Sequence, residues 1–291
     1  MTDRRPDPQP GDQHVTKTTM PDSRNDPETT FRIATLIPVH NDQAGLDRSL
    51  DSLARDGAEF WVVVVDDGSR TPIRIPSGLP FGVTLIRQDN RGITGALNTG
   101  LAHIYKTGFD YIARLDAGDV SLPGRLSAQA AFLDGRPDHA LVGCSADFVD
   151  LGGRMLFEFQ PPVGDAEIRK FQRYRIGFVH PAVMMRAADV RVVGGYEERY
   201  EGAEDYDLFF RLGQIGKLAN LPNVFLKYEV NPDGLSARRF RQGVARLRVQ
   251  ARHFEIFSPH AWAGFARNVA LLFAPRGLVL GAKQQLSRSR S

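Results

Sequence analysis

The chain has 291 residues, of which 42% are hydrophobic and 24% are charged. These values are ordinary for a folded globular protein, and they exclude a wholly disordered chain, a collagen-like repeat and a small disulfide scaffold. The single cysteine, Cys144, has no partner for an internal disulfide, which favours a reducing compartment, the cytoplasm. We find no apolar signal segment and no apolar run near the ~18–20 residues of a spanning helix.

The net charge of +3 conceals an asymmetry along the chain. Residues 236–291 contain eleven Arg or Lys residues and one acidic residue, Glu255, so this segment carries +10 and the rest of the chain −7. Residues 1–30 hold five prolines and ten charged residues, which predicts a disordered tail in which Met20 is an alternative start to Met1. We therefore expect a folded domain at 31–235 and basic amphipathic helices at 236–291.

Strands and helices are predicted to alternate from residue 31 to about residue 135. Strands are expected at 31–38, 60–65, 83–86 and 110–115. The first helix has Asn41 or Asp42 as its cap, the second ends at Gly108 and the third begins at Pro123. Their inward faces repeat every three or four residues: Leu46, Leu50 and Leu53; Leu97, Leu101 and Ile104; Leu126, Ala130 and Leu133. This order predicts an α/β fold with a mostly parallel sheet flanked by helices.

The second half of the chain is less regular. Strands are expected at 140–149, 155–159 and 223–229, and helices at 166–174 and 204–212. Cys144 lies inside the first of these strands, where it is expected to be a core residue rather than a nucleophile.

Two acidic motifs follow predicted strands, at the edge where parallel α/β sheets bind ligands. Asp67 can accept from a nucleobase or a ribose hydroxyl, although residues 66–69 also suit a simple Asx turn. Asp116 and Asp119 offer two oxygen ligands for Mg²⁺ or Mn²⁺ against a diphosphate, and the structural alternative is a pair of solvated loop acids.

Three further motifs carry candidate functional groups. Glu204 and Asp205 open a predicted helix, where acids are favoured by the helix dipole alone, but the glycine-rich approach to them favours a general base. Arg91 can face phosphate, yet the chain has neither a P-loop nor a dinucleotide fingerprint. His180 has no Cys or His at zinc-site spacing around it, so a zinc site is not expected.

Taken together, the order and spacing of these motifs resemble the family 2 glycosyltransferases, which have the nucleotide-diphospho-sugar transferase (GT-A) fold. The resemblance covers about residues 31–230. The motifs that carry it are PVHN at 38–41, DDGS at 66–69, NRG at 90–92, LDAGD at 115–119 with Pro123 and Arg125, HP at 180–181, GGY at 194–196 and EDYDL at 204–208.

The resemblance implies an inverting transfer of a hexosyl or deoxyhexosyl group from a nucleotide-diphospho-sugar to a hydroxyl of a lipid-linked or cell-envelope glycan. Asp205 matches the catalytic base, Glu204 its neighbour, and His180 falls on the acceptor side. Asp116 and Asp119 occupy the motif that binds Mg²⁺ or Mn²⁺. The residues assigned to the nucleotide sugar are Pro38, His40, Asn41, Asp67 and Asp116, to which we add Arg91 and Asn98.

One position departs from the family pattern. Gly118 stands where many relatives carry the acid that commonly holds the metal. Either Asp116 and Asp119 suffice or the metal dependence is weakened. Because of Gly118, a second hypothesis is a non-catalytic scaffold that binds a nucleotide sugar. The presence of Asp205 disfavours this hypothesis. A sugar-phosphate nucleotidyltransferase ranks lower, because it needs a Gly-rich basic loop after the first strand.

The C-terminal segment combines arginines with apolar residues. The arginines recur along a predicted helix at 238, 239, 241, 246, 248 and 252, and the apolar set is Trp262, Phe265, Val269, Leu272 and Phe273. This pattern favours helices lying on an anionic membrane, on the inner face of the cytoplasmic membrane. The alternatives are a solvated basic face over ordinary core helices and, less favoured, nucleic acid binding.

Overall fold

The computed structural model describes residues 15–17, 33–230 and 239–273. The strands are β1 (Val15–Lys17), β2 (Ile33–Val39), β3 (Phe60–Asp67), β4 (Gly82–Gln88), β5 (Tyr111–Arg114), β6 (Val120–Ser121), β7 (His139–Val149), β8 (Met155–Phe159), β9 (Met184–Arg186) and β10 (Lys217–Glu229). The helices are α1 (Gln43–Leu53), α2 (Gly92–Thr107), α3 (Arg125–Asp134), α4 (Asp165–Gln172), α5 (Ala187–Val192), α6 (Glu204–Ile215), α7 (Arg239–Arg252) and α8 (Pro259–Phe273).

The strands form one mixed sheet in the order β1-β4-β3-β2-β5-β9-β7-β10-β6, with β8 paired to β7. The ladders that join β4, β3, β2 and β5 are parallel, and so is the long ladder between β7 and β10. The shorter strands β1, β6, β8 and β9 pair antiparallel with their neighbours. The predicted α/β fold, a mostly parallel mixed sheet flanked by helices, is confirmed.

Helices cover both faces of the sheet. Along β3, Val62 and Val64 pack in the cluster that contains the apolar residues of α1 and α3. Val63 and Val65 pack on the opposite face, in the cluster that contains those of α2 and α6. Burial of both faces explains why β3 reads as a continuous apolar run, and each fully buried valine contributes about 1.5–3 kcal/mol.

The helix boundaries follow identifiable caps. Asp42, rather than Asn41, caps α1, because its Oδ1 accepts the backbone N–H of Gly45 at 2.8 Å. Gly108 ends α2 in the left-handed conformation, as predicted. The third helix begins at Arg125 after Gly124, which has a φ of +79°, so the prediction of a start at Pro123 is wrong by two residues.

Several elements differ from expectation. The strand predicted at 223–229 begins at Lys217, and its pairing with β7 is irregular around Pro222. The short elements β6, β9 and α5 were not predicted, and β9 lies between β5 and β7, where it joins the two halves of the sheet. The expected tail at 1–30 contains β1, which pairs with β4, and the other residues of that segment lie outside the described ones.

The two C-terminal helices form a hairpin packed on the domain. Gln250 of α7 donates to the Arg173 carbonyl oxygen at 3.1 Å and accepts from Asn268 of α8 at 2.9 Å. His253, just after α7, hydrogen-bonds to Asp207 of α6 at 3.1 Å between Nε2 and Oδ1. Helices at 239–273 agree with expectation, whereas the predictions for Arg238 and residues 274–291 lie outside the described part of the chain.

The apolar set predicted in this segment does not form one exposed face. Trp262 is 57% exposed, whereas Phe265, Val269 and Leu272 are partly buried within the packed hairpin. Of the helices that the structure describes, none combines the length and the apolar character needed to cross a lipid bilayer.

Candidate active site

The carboxyl ends of three parallel strands meet at one edge of the sheet. β2 lies between β3 and β5 and pairs parallel with both. His40 and Asn41 follow β2, Asp67 is the last residue of β3, and Asp116 lies two residues beyond β5. These four of the seven predicted nucleotide-sugar residues therefore share the edge where open parallel sheets bind ligands.

The two acids that end β3 have different surroundings. Asp66 accepts the N–H groups of Ser69 and Ile73 and pairs with Arg87, so its carboxylate organises the turn after the strand. Asp67 accepts from Gln88 Nε2 at 2.7 Å and from the N–H of Arg91 at 2.8 Å, both on Oδ1. The Asx-turn interpretation thus fits Asp66, whereas the side-chain hydrogen bonds of Asp67 to described residues both use Oδ1.

His40 and Asn41 connect the loops after β2 and β3. His40 Nδ1 donates to the Asp67 carbonyl oxygen at 2.8 Å, and its Nε2 accepts from Asn41 Nδ2 at 2.7 Å. Asn41 has a φ of +55° and bonds to Ser69 Oγ and to the N–H of Arg70. These contacts fix both side chains at the exposed rim of the sheet edge.

Three other residues assigned to the nucleotide sugar have structural contacts of their own. Pro38 is buried within β2. Arg91 is exposed at the start of α2 and pairs with Glu198 at 3.4 Å. Asn98 bonds to both backbone groups of Tyr196, at 2.8 and 3.0 Å, and so holds the 194–196 loop against α2. A donor contact by any of these three stays a prediction.

Arg114 is a fully buried cation at the end of β5 that sequence reasoning missed. Its Nη1 donates to the Leu36 carbonyl oxygen and its Nη2 to Asp116 Oδ1, each at 2.5 Å. Its Nε donates to His180 Nε2 at 3.3 Å. One guanidinium thus binds β2, the Asp116 loop and the histidine on the expected acceptor side.

His180 is held as a neutral imidazole. Burial, and then the positive charge of Arg114, hold the pKa of His180 well below its usual range. Because Arg114 donates to Nε2, the ring proton lies on Nδ1. The Tyr196 hydroxyl also donates to Nε2, at 2.8 Å. His180 therefore positions Tyr196 and does not act as a proton donor from Nε2.

The Asp119 carboxylate has one oxygen that is suited to bind a cation. Its Oδ1 accepts the N–H of Glu229 at 2.9 Å, but its buried Oδ2 has no hydrogen-bond partner among the described residues. Burial, followed by the charge of Asp116, raises the pKa of Asp119 well above its usual range. An unpartnered buried carboxylate oxygen beside a second carboxylate is an arrangement that Mg²⁺ or Mn²⁺ relieves.

In the described part of the chain, side-chain ligands alone do not make a complete cation site. Across residues 33–230 and 239–273, no group of three or more His, Cys, Asp or Glu side chains is placed to hold a metal ion. Asp116 and Asp119 therefore fit a cation that takes its remaining ligands from phosphate and water, as Mg²⁺ commonly does.

Gly118 occupies a position that has little room for a side chain. Its φ is +103°, and a Cβ there would lie 3.2 Å from Glu229 Oε1. Glu229, the last residue of β10, pairs with Arg48 of α1 at 3.0 Å. The carboxylate of Glu229, on β10, thus lies beside Gly118, the motif position that has no carboxylate of its own.

Glu204 and Asp205 are the first two residues of α6. Glu204 Oε2 accepts the N–H of Gly202, and burial, then the charge of Asp205, raises the pKa of Glu204 to about 7. Burial also raises the pKa of Asp205, against the opposing effects of the Tyr206 N–H and Arg246 of α7. The charge of Asp116 raises the pKa of both acids, so the two predicted motifs lie in one electrostatic site.

Tyr228, near the end of β10, is a further site residue absent from the sequence prediction. Burial raises the pKa of its hydroxyl, and the charges of Asp116, Asp119 and Asp205 add to that effect. Its ring packs on Phe148 of β7 with centroids 4.7 Å apart. An aromatic side chain whose hydroxyl pKa responds to the charges of both acidic motifs is suited to contact a sugar ring.

Comparisons with known protein sequences identify the family. The model of glycosyl transferase family 2 matches residues 35–192. An uncharacterized glycosyltransferase of Haemophilus influenzae is 31% identical over 203 residues, covering 67% of this chain and 72% of that protein. The amylovoran biosynthesis glycosyltransferase AmsE of Erwinia amylovora is 28% identical over 214 residues, covering 70% and 78%.

Solved structures agree on the fold. The mannosyltransferase PcManGT of Pyrobaculum calidifontis, in complex with GDP-Man and Mn²⁺, aligns with a TM-score of 0.58 at 18% identity over 89% of this chain and 81% of that one. The 1–349 segment of S. aureus TarS in complex with UDP-GlcNAc aligns with a TM-score of 0.58 at 15% identity, over 83% and 70%. The architecture is thus of the GT-A type, and the chain belongs to glycosyl transferase family 2.

Proposed function

We propose that the protein is an inverting glycosyltransferase that moves a hexosyl or deoxyhexosyl group from a nucleotide-diphospho-sugar to a hydroxyl acceptor. The observation that carries this proposal is the placement of Asp205 and Asp116 in one electrostatic site at the ligand-binding edge of the sheet. A base on one side and a phosphate-facing acid motif on the other are what a single displacement at an anomeric carbon needs.

In this mechanism Asp205 takes the proton of the acceptor hydroxyl while that oxygen attacks the anomeric carbon. Burial raises the pKa of the Asp205 carboxyl, which makes its carboxylate a stronger base than a solvated aspartate. Glu204, with a pKa of about 7, is partly protonated at neutral pH and so limits the negative charge beside the base.

Asp116 and Asp119 would hold Mg²⁺ or Mn²⁺, which neutralises charge on the departing diphosphate. Arg114 orients Asp116 for this role, and the unpartnered Oδ2 of Asp119 supplies a second oxygen. The presence of Mn²⁺ in the PcManGT complex supports the same choice of cofactor here.

The donor site we propose lies along the sheet edge. Asp67 Oδ2 is assigned to the base or ribose, with His40 and Asn41 forming the adjacent rim. Pro38, Arg91 and Asn98 complete the assignment. GDP-Man and UDP-GlcNAc in the structural neighbours support a nucleotide-diphospho-sugar as the donor class.

The acceptor we propose is a lipid-linked or cell-envelope glycan, bound near His180 and Tyr196. Relatives named for amylovoran biosynthesis and, at 25% identity, for O-antigen biosynthesis in Escherichia coli support a polysaccharide role. Such an acceptor places the protein in the cytoplasm, on the inner face of the cytoplasmic membrane, where the +10 charge of residues 236–291 meets anionic lipid.

The scaffold alternative has one observation in its favour, the glycine at position 118. A buried base candidate with a raised pKa and an unpartnered Asp119 oxygen favour catalysis over it. A nucleotidyltransferase is disfavoured because β2 leads into residues 38–41 (PVHN) and not into a Gly-rich basic loop.

The test is release of nucleoside diphosphate from a panel of nucleotide sugars, with Mn²⁺ or with EDTA. We expect release from one donor, lost in EDTA and reduced by orders of magnitude in Asp205→Asn, with donor binding retained in a thermal-shift assay. Early-time NMR of the released sugar reports inversion. Asp189→Asn on α5 is the matched control. Full release by Asp205→Asn, or loss of its donor binding, would overturn the assignment of the base.

A further inference from the structure

The turn between α7 and α8 presents large apolar side chains to solvent. Phe257 is 100% exposed, Ile256 is 68% exposed, and Trp262 on the first turn of α8 is 57% exposed. These three residues are called the hairpin tip. Trp262 is fixed there by its Nε1–H, which donates to the Ile256 carbonyl oxygen at 2.9 Å. Large side chains so exposed and so close in sequence are typical of an interaction site.

The apolar surface continues from the tip along α8. Ala263, Ala266 and Ala270 are exposed and, together with Trp262, lie at helical spacing on one face. The one Arg or Lys residue of α8, Arg267, stacks on the Tyr174 ring at 4.9 Å and so faces the domain. The opposite face packs closely, since a Cβ on Gly264 would lie 2.1 Å from the Arg173 carbonyl oxygen.

The hairpin that carries this apolar surface is also positively charged. Neither α7 nor α8 contains an acidic residue, and Arg246 and Arg248 of α7 are exposed. The one acid between the helices, Glu255, pairs with Arg173 at 2.5 Å. A hairpin that carries an apolar tip and a net positive charge complements an anionic bilayer, in which aromatic and aliphatic groups enter the interface and arginines meet headgroups.

We propose that the hairpin tip and the outer face of α8 insert into the interface of an anionic lipid membrane. The inference rests on the proposed membrane location but not on the proposed chemistry. A nucleic acid would match the arginines but would leave Ile256 and Phe257 without apolar contacts, which is why lipid is the favoured occupant.

Trp262 supplies the readout for the test. The chain has two tryptophans, and the other one, Trp61, is 7% exposed. We would mix the full-length chain with vesicles of phosphatidylcholine alone or with equal parts of phosphatidylglycerol. With the anionic vesicles we expect co-sedimentation and a blue shift of the emission, and Trp262→Phe is expected to remove the shift.

Matched variants then test the tip itself. The double variant I256S/F257S is expected to bind anionic vesicles about tenfold more weakly, whereas Phe257→Leu retains binding. Leu151→Ser alters a residue 60% exposed in the β7–β8 turn and is expected to bind as the unmodified chain does. Thermal stabilisation by UDP or GDP in each variant separates this result from the proposed function.

Four outcomes would overturn the proposal. The first is no blue shift with anionic vesicles, and the second is vesicle binding unchanged in I256S/F257S. The third is an unmodified chain that is dimeric by light scattering and becomes monomeric in that variant, since a second copy would then cover the tip. The fourth is duplex DNA binding that is as tight as vesicle binding and is weakened by the same variant, since the surface would then be assigned to nucleic acid.

Discussion

The buried guanidinium of Arg114 donates to the Asp116 carboxylate, with 2.5 Å between Nη2 and Oδ1. Asp116 is partly exposed at the ligand-binding edge, whereas Arg114 has no exposed surface. Because Arg114 also bonds to the Leu36 carbonyl and to His180, the orientation of the surface acid depends on the interior of the sheet.

Replacement of Arg114 by Met is expected to cost about 3 kcal/mol or more of unfolding free energy. The change leaves buried carbonyl oxygens and one end of an ion pair without their donor. Urea unfolding measures the loss. Arg91→Met serves as the control, because Arg91 is exposed in a surface pair and should lose under about 1 kcal/mol. Equal losses in the two variants would contradict a special role for Arg114.

Mn²⁺ is expected to raise the melting temperature of the protein in the presence of UDP or GDP. A ligand at a hundred times its dissociation constant stabilises by about 2.7 kcal/mol. Asp116→Asn and Asp119→Asn should each remove the part that depends on the cation. Asp51→Asn, at a side chain 76% exposed on α1, should keep it. A cation effect that survives in Asp119→Asn would place the metal elsewhere.

Glu204 is expected to make stability depend on pH. Its pKa rises from 4.5 to about 7 on folding, so between these values the folded state keeps a proton that the unfolded state has lost. Folding stability therefore falls as pH rises through this window. The Glu204→Gln variant has no carboxyl that titrates at this position. As pH rises, its free energy of unfolding should therefore increase relative to that of the unmodified protein, by up to about 3 kcal/mol. Urea unfolding at about pH 5 and about pH 8 measures the difference, which would be constant if the carboxyl were solvated.

Restoring the acid at position 118 is not expected to strengthen metal binding. Gly118→Asp forces a side chain into a φ of +103°, close to the Glu229 carboxylate, and should cost about 1–3 kcal/mol. Gly78→Asp, at a φ of +80° with nothing within 4 Å of a Cβ, should cost less. Calorimetric titration with Mn²⁺ would refute this interpretation if Gly118→Asp bound the ion more tightly.

The first half of the fold could be predicted because its elements are local. The leucines of α1 repeat at helical spacing, and β3 is a long β-branched run between turn residues. Short strands lack such a signal: β9 has three residues, and its place between β5 and β7 depends on long-range pairing. The start of β10 was missed because Pro222 and the irregular pairing around it interrupt the strand pattern.

The candidate site could be predicted only where its residues form motifs. Asp67, Asp116 and Asp205 each belong to a short string with characteristic neighbours, whereas Arg114 and Tyr228 lie within ordinary strand sequence. Arg114 and Tyr228 contribute to the site only because of which strands are neighbours in the sheet. Full burial of Arg114 depends on an acceptor from β2, the Leu36 carbonyl oxygen, and that pairing is not visible in the chain order.

The hydrogen bond between His253 and Asp207 links the C-terminal hairpin to α6. Asp207 is two residues after Asp205 on α6, and His253 is three residues before Ile256. A bilayer that held the hairpin tip would thus set the height and tilt of Asp205, the proposed base, above the lipid. A lipid-linked acceptor would then meet the enzyme by lateral diffusion in two dimensions, with its hydroxyl presented at a fixed level.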